Sequence, residues 1–149
     1  MGAWVETFRG AVLASEYDAE SHMNSQMYVA RFDQATWFLL HSVGITPRAM
    51  KKAGRRIAVV RQSYQFLSEL RGGELVQVES GFVAVGRKFF RFLHRMRDVE
   101  TGQLLATSDS TAVEASLATG KSVPLPAAQR KEAEARLVSA NVAAESGLS

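Results

Sequence analysis

At 149 residues, 46% of them hydrophobic, the chain is long enough for one domain that buries roughly two-thirds of the surface its unfolded form exposes. It has no cysteine, which excludes a disulfide framework, a thiolate nucleophile and a thiolate metal site and fits a reducing, cytoplasmic setting. Net charge is only +3, but basic residues cluster at 48–61 and 87–97, so polyanions are candidate partners; no recognition motif accompanies them, which argues against nucleic acid.

The first residues, MGAWVETFRG, carry Glu6 and no apolar run of signal-peptide length, and the apolar run 35–40 is too short to span a bilayer. A soluble protein with no membrane partner is expected. Residues 6–16 (ETFRGAVLASE) show partial alternation and predict a strand. A polar loop follows, holding Asp18, Glu20, Ser21, His22, Asn24 and Ser25, and Asn24 or Ser25 can cap a helix that begins near Gln26. Tyr28, Phe32, Ala35, Leu39 and Val43 recur at helical spacing. Val29, Trp37, Phe38 and Leu40 spread apolar character further, so this helix is expected to be buried on nearly all sides. Gly44 and Pro47 should end it, leaving a basic connector at 44–54 with a short helical turn at 48–52.

Residues 56–70 are rich in strand formers, with Val60, Tyr64 and Phe66 on one face and Arg61, Ser63 and Gln65 on the other. Arg71-Gly72-Gly73 supplies a turn into a second antiparallel strand at 74–85, where Gly81 predicts a bulge. Gly86 turns the chain into 87–99, in which Phe90, Phe92, His94 and Met96 alternate with Arg91, Leu93, Arg95 and Arg97. Glu100-Thr101-Gly102 forms the next hairpin turn and 103–117 the last long strand. Gly120, Pro124 and Pro126 end regular pairing, and 127–140 predict a peripheral helix with a thin apolar face of Ala128, Ala135, Leu137 and Val138. Residues 1–140 are expected to form a single domain, with 141–149 a disordered tail.

The order of strand, long helix, four antiparallel strands and terminal helix is an α+β plan. Such a sheet has one face to wrap around a single helix, and its edge strands invite a second subunit. The loop and this order together resemble the hotdog fold, and within it acyl-CoA thioesterases of the 4-hydroxybenzoyl-CoA thioesterase type, over about residues 5–117. That pattern is an aspartate followed by A, x, G, H, x, N, then N and, three positions on, a tyrosine opening the helix. Here it reads Asp18, Ala19, Glu20, Ser21, His22, Met23, Asn24, Ser25 and Tyr28. Ser21 and Ser25 depart from it, standing where glycine and a second asparagine are usual. Residues 64–74 (YQFLSELRGGE) are similar to the family's strand and following turn.

The resemblance implies an antiparallel β-sheet wrapped around one long central α-helix, assembled as a homodimer or homotetramer with acyl-CoA at the subunit interface. It implies thioester hydrolysis with Asp18 as nucleophile or general base. No cofactor is needed, since CoA is part of the substrate. Hydrolysis requires such a carboxylate and donors for the oxyanion that forms. By position the donor is the backbone N–H of Ser25, where the helix dipole favours negative charge. His22, Asn24 and Tyr28 are expected to support the loop from behind, although His22 could also act as acid or base. Glu16 and Glu20, two residues either side of Asp18, could raise its pKa by repulsion.

The resemblance also places contacts to the CoA phosphates near Arg87 and Lys88, with Arg56, Arg55 and Arg91 as further candidates; the alternative is that these cations guard a sheet edge. Phe89, Phe90 and Phe92 could stack on adenine or fill the core. His22, His41 and His94 lack metal-ligand spacing, so no metal is expected. A hotdog enoyl-CoA hydratase or dehydratase, a non-catalytic acyl-CoA or acyl-carrier binding module and a polyanion-binding protein are the rival functions. Aromatic, short branched and medium-chain acyl groups all fit the sequence.

Overall fold

In the computed structural model, which describes residues 4–12, 25–69 and 74–140, the apolar spacing that begins at Tyr28 forms helix α1 (Ser25–His41). Tyr28, Phe32, Ala35, Leu39 and Leu40 are buried along one stripe, as an i, i+3, i+4 repeat requires. Past its end, Gly44 has φ 86° and its N–H lies 3.0 Å from the His41 carbonyl, a left-handed conformation that glycine adopts without steric cost. The helix is not buried on nearly all sides. Phe38 is 61% exposed, and Asp33, Gln34 and His41 are exposed beside it, because one sheet covers only one side of a helix. Helix α2 (Pro47–Lys52) follows, its first N–H groups capped by Thr46, whose hydroxyl accepts from the Ala49 N–H at 3.0 Å.

Five antiparallel strands, β1 (Val5–Ala11), β2 (Arg55–Phe66), β3 (Leu75–Val85), β4 (Phe90–Asp98) and β5 (Leu104–Ser116), lie in the order β1-β3-β4-β5-β2. The two-residue strand β6 (Ser122–Val123) pairs with β5, so pairing resumes briefly where Gly120 and Pro124 had suggested that it stops. The face toward α1 carries two connected clusters. Tyr28, Phe32 and Ala35 pack with Val76, Val78, Met96 and Ala106, and Leu39, Leu40 and Val43 with Phe82, Phe90, Phe92 and Ala112. The first half of α1 therefore sits over one end of the sheet and its last half over the other.

Strands β3, β4 and β5 form the expected meander, but β2 and β3 are not hairpin neighbours. Both edges of β3 are taken, by β1 and β4, and β2 lies at the far edge beside β5. Glycines at 72 and 73 mark a break in the chain without saying which strand comes next in space; the mostly exposed β2 suits an edge. Val60 is the extra residue between the pairs Val59↔Ala112 and Arg61↔Thr111. This bulge flips the alternation, so Ile57, Val59, Gln62, Tyr64 and Phe66 share the α1 side while Val60 is left 61% exposed.

The bulge expected at Gly81 lies instead at Val83, between Phe82↔Phe92 and Ala84↔Arg91. Gly81 is small for a different reason: a Cβ there would lie 2.6 Å from Val138 Cγ2. Helix α3 (Ala127–Glu134) stops short of the predicted 140, and the chain after it returns over β3, where the Val138 N–H donates to the Phe82 carbonyl at 2.8 Å. Strand β1 likewise ends at Ala11, and residues 13–24 and 141–149 lie outside the described residues. Among the described residues no helix is long and apolar enough to cross a membrane.

Candidate active site

Ser25 opens α1 and is exposed. The N–H groups of a first helical turn have no partner within the helix, and the first turn of α1 holds no acidic side chain that would neutralise its positive end. Two anchors fix this turn. The Tyr28 hydroxyl donates to the Ser68 carbonyl at 3.0 Å with its ring edge-on to Phe66, and Arg31 donates to the Ala11 carbonyl at 3.3 Å while lying over the Phe8 ring. Tyr28 thus ties α1 to the segment after β2, and Arg31 ties it to β1. Asp18, His22 and Asn24 lie outside the described residues.

Deeper along the helix, Thr36 meets a buried histidine. His94 Nε2 is 2.8 Å from Thr36 Oγ1, and His94 Nδ1 is 2.5 Å from Ser80 Oγ, itself 2.7 Å from Thr7 Oγ1. The ring stacks on Phe32 and meets Phe92 edge-on. Burial pushes its pKa down from 6.5 to about 3, so it is neutral at physiological pH. On the open side of the same stretch of helix, Asp33, Thr36 and Trp37 line a cavity of about 350 Å³ with Ile57, Val59 and Gln62 of β2. Trp37 is partly buried against the core as well as lining this cavity, and only its core role is visible from apolar spacing; the available signal for the cavity was a carboxylate and an indole four residues apart on one helix face.

The basic candidates lie elsewhere. Arg87 and Lys88 are exposed in the turn before β4, beside the sheet end that packs on the last half of α1. Arg87 also lines a shallow cavity of about 430 Å³ with Arg130 and Lys131 of α3. Arg56 is exposed opposite Ala115 on β2, at the same end of the sheet. Arg55 and Arg91 are committed elsewhere, Arg55 to the fully buried Glu114 at 3.0 Å and Arg91 by a two-pronged bond to Asp109 at 2.7 and 3.0 Å. Phe90 and Phe92 are fully buried in the core, whereas Phe89 is 37% exposed. Since 17 helical residues span ~25 Å, one chain does not bring Ser25 together with Arg87 and Lys88. Among the described residues no group of three or more histidine, aspartate or glutamate side chains could hold a metal ion.

Residues 12–133 match the Thioesterase-like superfamily. The chain belongs to that superfamily. A betainyl-CoA thioesterase of Pseudomonas aeruginosa is 25% identical over 124 residues, covering 83% of this chain and 78% of that protein. An L-carnitine dehydrogenase/betainyl-CoA thioesterase of Rhizobium meliloti is 27% identical over 116 residues, 78% of this chain but 23% of that protein. The chain therefore corresponds to less than a quarter of the length of this second relative. Among solved structures, a Staphylococcus aureus protein in complex with CoA superposes with TM-score 0.84 at 15% identity, over 93% of this chain and 89% of that one. A 1,4-dihydroxy-2-naphthoyl-CoA thioesterase from Synechocystis gives TM-score 0.77 at 18% identity, over 87% and 95%. At such identities the likeness is one of fold, and the fold shared is that of hotdog thioesterases.

Proposed function

We propose that the protein hydrolyses acyl-CoA thioesters, with Asp18 as nucleophile or general base and α1 as the central helix of a hotdog fold. The observation that carries this reading is the superfamily match over residues 12–133, together with the Asp18 to Tyr28 motif at the entry to a helix whose first turn is pinned and free of acidic side chains. A carbon–oxygen bond forms at the thioester carbonyl, either as Asp18 takes a proton from the water that adds there or as its own carboxylate adds, in which case water afterwards hydrolyses the acyl–Asp18 anhydride. The resulting oxyanion takes a hydrogen bond from the Ser25 N–H, and the carbon–sulfur bond breaks to release CoA as the thiolate. No cofactor takes part, and the cytoplasm is the compartment that a cysteine-free chain suits. Betainyl-CoA, in the names of both relatives, belongs to this substrate class. Free-thiol release across a panel of acyl-CoAs tests the reading; no release from any of them overturns it.

The site is shared between two copies of the chain. Among the described residues β2 pairs only with β5, and its other edge lies beside exposed Val59, Val60 and Phe66, with Phe38 of α1 on the open side of the helix. A second copy paired along that edge continues the sheet and covers these side chains. Light scattering is expected to give a dimer or a larger even assembly, and a stable, active monomer at assay concentration would defeat the interfacial site.

Arg87, Lys88 and Arg56 serve the phosphates of a CoA bound across that interface, which accounts for their distance from Ser25 in a single chain. Replacing Arg87 and Lys88 together by alanine should raise KM several-fold to about tenfold at low salt with kcat less affected, because contacts remote from the carbonyl bind ground and transition states alike. The difference should shrink as salt screens it. An unchanged KM at low salt returns both residues to a role as edge guards.

A further inference from the structure

Asp33 and Trp37 stand one turn apart on the open face of α1 and border the same cavity, whose other walls include Ile57 and Val59. Among the described residues no lysine or arginine lines that space, and Asp33 has no cationic partner. Although the residue is exposed, the wall of the cavity covers part of its carboxylate, and this partial burial raises its pKa. Tyr64 stacks on Phe32 at 6.1 Å, next to Asp33 in the helix, and its buried hydroxyl has no hydrogen-bond partner. Burial and then the charge of Asp33 raise the Tyr64 pKa, leaving a neutral aromatic donor at physiological pH. A carboxylate, an indole and aliphatic walls with no competing cation match an alkylated ammonium group. The carboxylate attracts its charge, the indole offers a cation–π face, and the aliphatic side chains cover its methyl groups. An anionic acyl end would be repelled here, and an uncharged one would strip water from Asp33 without compensation.

We propose that this cavity selects acyl groups with a positively charged, alkylated ammonium end, and that Asp33 and Trp37 are its specificity-determining pair. The inference rests on the acyl-CoA thioesterase reading. Asp33 lies eight residues beyond Ser25, a rise of ~12 Å, and its side chain leans back toward the helix N-terminus. Allowing ~3 Å for the hydrogen bond from the Ser25 N–H to the carbonyl oxygen and a contact distance at the carboxylate, several bonds separate the carbonyl from the nitrogen. A spacer of three methylenes suits this better than the single methylene of a betainyl group.

The test compares γ-trimethylammoniobutyryl-CoA with 5,5-dimethylhexanoyl-CoA, its uncharged carbon isostere, by thiol release. The cationic thioester should be preferred by about tenfold or more in kcat/KM. Asp33→Asn should lower kcat/KM for the cation and raise it for the isostere, bringing the ratio near unity. Calorimetry with free γ-trimethylammoniobutyrate and free 5,5-dimethylhexanoate gives a second readout, in which saturable binding of the cation is weakened by Asp33→Asn. Equal turnover of the two thioesters, or a preference that survives Asp33→Asn, overturns the cation site. Cation binding that depends on Asp33, without thiol release from either thioester, overturns the thioesterase reading and leaves the site standing. Absence of both turnover and binding overturns both.

Discussion

Asp18→Asn is expected to lower kcat for thiol release by about 10²-fold or more, while a non-hydrolysable acyl-CoA analogue still binds. Asparagine keeps the size of the side chain and its reach for hydrogen bonds, but removes the negative charge and the capacity to attack a carbonyl or accept a proton. With the Ser25 N–H as the proposed oxyanion donor, the residual rate of the variant measures what the helix terminus supplies alone. If Asp18 were only a turn residue the outcome would invert, because asparagine suits the same turns, and activity would stay within a few-fold of the parent. Circular dichroism and the melting temperature separate catalytic loss from misfolding. A folded Asp18→Asn protein with near-parental thiol release would remove the carboxylate from the mechanism and direct attention to His22 and Glu20.

What the sequence made legible was local. The ends of α1 follow from its apolar spacing and from Gly44, and every long strand was visible as a run of strand formers. Neighbour relations were not visible, because a glycine turn between β2 and β3 reads the same whether the strands pair or part. Bulges hid the faces: one extra residue at Val60 moves Gln62 and Val59 to the same side of the sheet, where strict alternation would separate them. The open side of α1 was misread since apolar residues such as Phe38 look alike in sequence whether their own chain or a second copy covers them. Gly81 could not be explained from its strand at all, since Val138 meets it from a segment 57 positions later.

The candidate site divided in the same way. The motif from Asp18 to Tyr28 is read through family resemblance, and of its residues only Ser25 and Tyr28 among those named lie within the described structure. Tyr28 takes its anchor from Ser68, 40 positions away, which no local spacing foretells. The buried chain from Thr36 through His94 and Ser80 to Thr7 joins four elements. Alternation in β4 placed His94 among apolar residues without revealing which hydroxyls would satisfy it. Its partners became identifiable only once α1, β1, β3 and β4 were placed together.

That buried histidine should make the folded protein lose stability as pH falls below 6.5. The Thr36 hydroxyl donates to the Phe32 carbonyl at 3.0 Å, so it must accept from the His94 Nε2–H, which leaves Nδ1 to accept from the Ser80 hydroxyl. Both ring nitrogens of the neutral form are thereby satisfied. Protonating Nδ1 would set a second N–H against the Ser80 O–H and place a charge between Phe32 and Phe92, at a position 1% exposed. With a folded pKa of about 3 against 6.5, the unfolded chain binds more protons between these values. Stability therefore rises with pH through that window and levels off above it. Between pH 6.5 and pH 5, largely above the range in which carboxylates titrate, the loss should be roughly 1.5–2 kcal/mol, from a limiting slope of ~1.4 kcal/mol per pH unit. Urea denaturation at the two pH values measures it. His94→Gln retains a donor and an acceptor but cannot titrate. Whatever the variant loses in absolute stability, its dependence on pH across this interval should be markedly shallower, and a slope equal to that of the parent would show that His94 is not the group being titrated.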